Sequence, residues 1–159
     1  MTIRASSATQ LAQLFRKREL GRVAAMTSAV TEAAKEGAGV LGAHSPRDTG
    51  NLGENITVTV DSSSSTPGYS GTAAKIVQNA PYAAALEFGS RPHAIPFEAV
   101  LDWATRHAQG GEDPEAFAHA VWKKILENGT EPKHYTKDAI PAMLLILATR
   151  VRAEAGRKP

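Results

Sequence analysis

The run Asn79-Ala-Pro-Tyr82-Ala-Ala-Ala-Leu86-Glu87-Phe88-Gly89-Ser-Arg91-Pro92-His93-Ala-Ile-Pro96-Phe97 restricts what this chain can fold into more than any other stretch. Gly89 is free to take a positive φ, while Pro92 and Pro96 fix φ near an extended or first-turn value, so the chain leaves the Phe-Gly turn in a set direction. Strand-like sequence precedes the run and helix-like sequence follows it, which makes 79–97 a junction. Tyr82 and Leu86 share a helical face by their i, i+4 spacing, with Glu87 beside them.

Upstream, Ser7-x-x-Gln10 has capping-box spacing, and Leu11, Leu14 and Phe15 follow on one face, which predicts a helix over 8–43. Val23, Met26, Val30, Ala33, Gly37 and Val40 form a stripe of mostly small residues along it. Such a stripe packs on a sheet in the same chain or also on a neighbouring subunit; intrachain packing is the commoner use. Ser45-Pro46-Arg47-Asp48-Thr49-Gly50 ends the helix. A hairpin region is expected over 52–79. In it Ile56, Val58 and Val60 alternate with polar residues, a loop follows around Ser62–Pro67, and a return strand spans Gly71–Gln78. A two-stranded hairpin is marginal alone and needs a helix, more strands or another subunit over its apolar face.

Downstream, the region 97–155 reads as helical. Pro96 suits a first helical turn leading into Phe97, Val100, Leu101 and Trp103, with Gly110-Gly111 as the stop. Asp113-Pro114-Glu115 supplies cap, first-turn proline and first-turn carboxylate for a helix that Gly129 ends. A last helix begins around Thr136–Pro141 and runs to a basic tail, Arg150, Arg152, Arg157 and Lys158. No internal repeat is evident. The fold class expected is α+β: a long N-terminal helix, a small antiparallel hairpin and about three further helices in one domain spanning 1–159.

The 159 residues hold no cysteine, which excludes disulfides and thiolate metal sites. No window approaches the ~20 apolar residues of a membrane span, so a soluble protein with no membrane partner is expected. A net charge of +2 gives no broad nucleic-acid footprint. The five histidines are dispersed, so neither a metal site nor a bound cofactor is expected. Asp48-Thr49-Gly50 spells the triplet of aspartic proteases, but a single copy needs a second chain to supply the other carboxylate, and no apolar strand leads into it. An ordinary turn accounts for the same residues. Glu87 and Arg91 flank the corner, either bracing it or facing a subunit boundary.

Pro81-Tyr82-Ala-x-x-x-Glu87-Phe88-Gly89-Ser followed by Arg91-Pro92-His and Pro96 resembles the tail-completion, or head-to-tail joining, proteins of lambdoid-type tailed bacteriophages. Thr49-Gly50-x-Leu52, which in that family opens the first strand, Leu101-Asp102-Trp103-Ala104, similar to the Leu-x-x-Trp that follows the corner in many members, and Ile125-x-x-x-Gly129-Thr130-x-Pro132 occur in the same order as in the family. The resemblance covers about Thr49 to Pro132. It implies a non-enzymatic structural protein of the virion neck, assembled in the host cytoplasm as a homo-oligomeric, hexameric ring. The implied partners are a head-completion or connector protein on one side and a tail terminator or tail tube protein on the other, with DNA possible in the channel. Thr49, Gly50, Leu52, Tyr82, Glu87, Phe88, Gly89, Arg91, Pro92, Pro96 and Trp103 are the implied assembly residues. The alternatives are a tail terminator, an assembly factor absent from the mature particle and, in another class, a protease acting through Asp48.

Overall fold

Among the described residues of the computed structural model, eight elements follow one another: α1 (Ala8–His44), α2 (Asn51–Glu54), β1 (Ile56–Asp61), β2 (Ala73–Gln78), α3 (Ala83–Phe88), α4 (Phe97–His107), α5 (Pro114–Asn128) and α6 (Tyr135–Ala155). The fold is α+β. The structure describes residues 8–61 and 71–157; the expected cap at Ser7, the loop around Ser62–Pro67 and Lys158 lie outside them. The chain divides into two compact units, one made of 1–79 with 136–159 and the other of 80–135.

In the first unit, the small-residue stripe of α1 determines how closely its neighbours pack. The buried positions of α1 are Val30, Ala33, Ala34, Gly37 and Leu41, while Val23, Met26 and Val40 of the expected stripe are only half-buried. A side chain added at Gly37 would stand 3.2 Å from Ile76 Cδ1 and 3.6 Å from Met143, so at this point one face of α1 meets both β2 and α6. Five residues on, a Cβ at Gly42 would come within 3.0 Å of the Gly53 carbonyl oxygen, a near contact of α1 backbone with α2 backbone. Glu36 and Arg150 form an ion pair between α1 and α6.

β1 and β2 pair antiparallel, with Ile56 opposite Gln78 and Asp61 opposite Ala73. The alternation read in β1 is present, since Ile56, Val58 and Val60 are half-buried and Thr57 and Thr59 exposed. α1 packs on both strands, which supplies the cover a lone hairpin needs. Gln78 Nε2 donates to Ser45 Oγ and to Leu52 O, both at 2.9 Å, and ties the end of β2 to the turn after α1. Two boundaries differ from the sequence reading. The return strand begins at Ala73 rather than Gly71, and a turn of helix, α2, stands between Gly50 and β1, so Thr49-Gly50 opens α2 and not the strand.

The second unit has an aromatic core. Val100, Ala104 and Ala118 are buried where α4 meets α5, with Phe97, Trp103, Phe117 and Trp122 packed around them. Phe97 meets Trp122 edge-on at 6.1 Å, and Trp103 meets Phe117 at 5.6 Å. Trp122 Nε1 donates to Ile95 O at 2.9 Å, so the large ring buries its one polar atom with a partner. Asp113 caps α5 by accepting from Glu115 N–H at 3.0 Å, with Pro114 in the first turn, as its sequence predicts. Pro96 is not a first-turn residue but the residue just before α4, with ψ 129. α4 ends at His107, ahead of Gly110.

Candidate functional site

The corner at Phe88-Gly89 is built by two segments that are far apart in sequence. Gly89 takes φ 75 and Gly129, at the end of α5, takes φ 77. Between them Ser90 and Thr130 form an antiparallel bridge. Ser90 N–H donates to Thr130 O at 3.1 Å, and Thr130 N–H returns the bond to Ser90 O at 3.2 Å. The side chains repeat the pairing, with the Thr130 hydroxyl 3.0 Å from Ser90 Oγ.

Both glycines are required by space as well as by backbone angle. A Cβ at Gly89 would stand 2.5 Å from Thr130 O, and one at Gly129 would overlap the Ser90 carbonyl. The strap that follows closes over the end of α3. Lys133 N–H donates to Leu86 O at 2.8 Å and His134 N–H to Glu87 O at 3.2 Å, which satisfies carbonyls that a helix C-terminus leaves open. Tyr135 is buried, and its hydroxyl donates to Ala83 O at 3.3 Å. His134 takes φ 51 to make this closure, the one described non-glycine residue with positive φ.

What the clasp holds out is Phe88. Its side chain is 75% exposed although both its neighbours, Glu87 and Gly89, are held in the closure, and Tyr82 at the start of α3 is 41% exposed. An aromatic ring fixed on a rigid turn loses little freedom on docking, so it is suited to binding. Glu87 itself is buried, at 7%, whereas Arg91 and Pro92 are exposed. His93 Nδ1 lies 2.8 Å from Arg91 O. On the outer side of the strap, Lys124 Nζ bonds Glu131 Oε1 at 2.9 Å and, by that hydrogen bond and its charge, holds the Glu131 carboxyl below its ordinary range.

Of the residues singled out in the sequence, Glu87, Phe88, Gly89, Arg91 and Pro92 thus form one corner, with Tyr82 at the start of the helix that leads into it. Trp103 belongs to α4 and its core, and Pro96 stands exposed just before α4. Thr49, Gly50 and Leu52 belong to the other unit, where Gly50 takes φ 87 and Leu52 is 3% exposed. Asp48 is exposed in the bend ahead of α2, a turn setting. Among the described residues no group of three or more His, Cys, Asp or Glu is placed to hold a metal ion, and no helix is long and apolar enough to cross a membrane.

Sequence reading missed that Gly89 and Gly129 are partners. The signal was present: Gly89-Ser-Arg-Pro92 and Gly129-Thr-Glu-Pro132 are the same four-residue pattern, glycine, hydroxyl residue, charge, proline. Comparison of the chain with protein families, curated proteins and solved structures gives no match.

Proposed function

We propose that this chain is a structural protein of a tailed-phage particle that joins the DNA-filled head to the tail as a closed ring of identical subunits. Its work is binding, and the clasped corner is one of its docking surfaces. The observation that supports the reading most is the pairing of Glu87-Phe88-Gly89-Ser90 with Gly129-Thr130-x-Pro132. These are two of the short patterns on which the resemblance to head-to-tail joining proteins rests, and a shared role in one clasp gives a physical reason for them to occur together. The exposed Phe88 and Tyr82 give that corner an apolar surface for a partner.

A ring requires heterologous contacts, in which each subunit offers two different patches to identical neighbours. Connector and tail rings would then meet the two faces, with DNA passing through the channel. The test is electron microscopy of particles assembled in a lysate lacking only this protein. Filled heads and tails of normal length lying unjoined are expected. Overlong tails would reassign the protein to tail termination, and normal infectious particles would overturn both roles.

A further inference from the structure

The first unit carries two apolar helical surfaces that nothing in the described chain covers. Every residue of α1 from Ala8 to Arg22 is exposed, an overhang of about 22 Å at helical rise. Its first two turns carry Leu11, Leu14 and Phe15, exposed by 40, 41 and 57%. A helix of this length is marginal in water without tertiary contacts. α6 presents the second surface. Ala139 is fully buried and Met143 faces Gly37 of α1, yet Leu144, Leu145 and Leu147 are exposed by 59, 69 and 36%. α6 is therefore apolar on more sides than its own unit uses.

We infer that these two surfaces are the two halves of one contact: the exposed start of α1 of one copy lies along the outer face of α6 of the next. The inference rests on the ring reading, because a closing contact needs two different patches on each copy and this pairing covers both. Charge permits it. Residues 8–15 and 139–149 are both free of charged side chains, and these stretches span about 12 and 16 Å. It also sets the direction. A parallel arrangement would bring Arg16, Lys17 and Arg18 toward Arg150 and Arg152, whereas an antiparallel one turns them toward Lys137 and Asp138, a pair with no net charge, and avoids that repulsion. Size is adequate too. At roughly 200 Å² for a fully exposed large side chain, the three α1 residues with Leu144 and Leu145, which one helix can cover together, offer on the order of 500 Å²; with apolar atoms making up about 60% of an interface, the contact reaches ~900 Å², close to the ~1,000 Å² of a specific association.

The chain has no cysteine, so single thiols can be placed at will. Leu14→Cys and Leu144→Cys proteins, each made separately, mixed and mildly oxidised, should give a disulfide-linked pair of one with the other. The double variant should give a ladder of covalent multimers. A second variant, Leu145→Glu, should raise the dissociation constant at least tenfold and leave the helical circular dichroism unchanged. An oligomer by light scattering that links only Leu144→Cys to itself, or links neither thiol, would overturn this contact and leave the ring standing. A monomeric mass at every soluble concentration, with no cross-link, would overturn both.

Discussion

The two units build their cores from different side chains. In the second, the large rings go inward: Trp103, Phe117 and Trp122 surround Ala104 and Ala118. In the first, small residues go inward beside Val30, Leu41 and Leu52. Ala33, Ala34, Gly37 and Ala139 are buried, while Leu20, Leu144 and Leu145 are 62, 59 and 69% exposed. Small residues let backbones approach closely but bury little apolar area each, so the second unit gains more from the hydrophobic effect per contact. A unit that leaves Leu20, Leu144 and Leu145 this exposed has an apolar surface that only further association would bury.

The comparison can be broken first at the clasp of the second unit. Gly129→Val should destabilise by about 3 kcal/mol or more, because it adds strain at positive φ to an overlap with backbone. Chemical denaturation should show a lower midpoint, with loss of the near-ultraviolet signal of the two tryptophans. Trp122→Phe keeps a ring in place but leaves Ile95 O without its indole donor, and should lower stability by ~1–2 kcal/mol in the same measurement.

The first unit is sharpened by two glycines three residues apart on α1. Gly42→Ala would push Cβ onto the Gly53 carbonyl; that cost of ~1–3 kcal/mol exceeds the ~1 kcal/mol gained in helix propensity. Gly39→Ala meets nothing within 4 Å and should stabilise by about 0.5–1 kcal/mol. Opposite shifts in melting temperature check the claim that backbone proximity, and not helix propensity, sets this packing.

The smallest effect is expected at Glu131. Its folded carboxyl titrates below its ordinary range because of Lys124. Its contribution is therefore present above the unfolded carboxylate pKa and is lost as pH falls through the depressed one. Glu131→Gln should differ slightly from the parent at neutral pH and match it in acid, read from denaturation midpoints across that range.

Features governed by neighbours in sequence were legible. Asp113-Pro114-Glu115 starts α5 as read, because a cap is satisfied within three residues. The alternation in β1 announced its half-buried face, since side-chain period follows from the strand itself. Features that depend on distant partners were not. α6 begins at Tyr135, one residue before the range Thr136–Pro141 read for its start, but the bond of the buried Tyr135 ring to Ala83 O left no local sign. Much of the corner was visible as a turn, but its closing half lies 40 residues on, beyond the reach of any pattern of neighbouring residues.

That closure has a topological consequence. The hydroxyl of Tyr135, the last residue of the second unit, meets the carbonyl of Ala83, near its first. The chain therefore enters and leaves 80–135 at adjacent points, the arrangement of an inserted module whose ends already meet. Such a segment can be exchanged for another of different length or surface without separating the flanking sequence at Asn79 and Thr136. A chain of this design can change the surface of one module while the helix-and-hairpin unit keeps its own sequence.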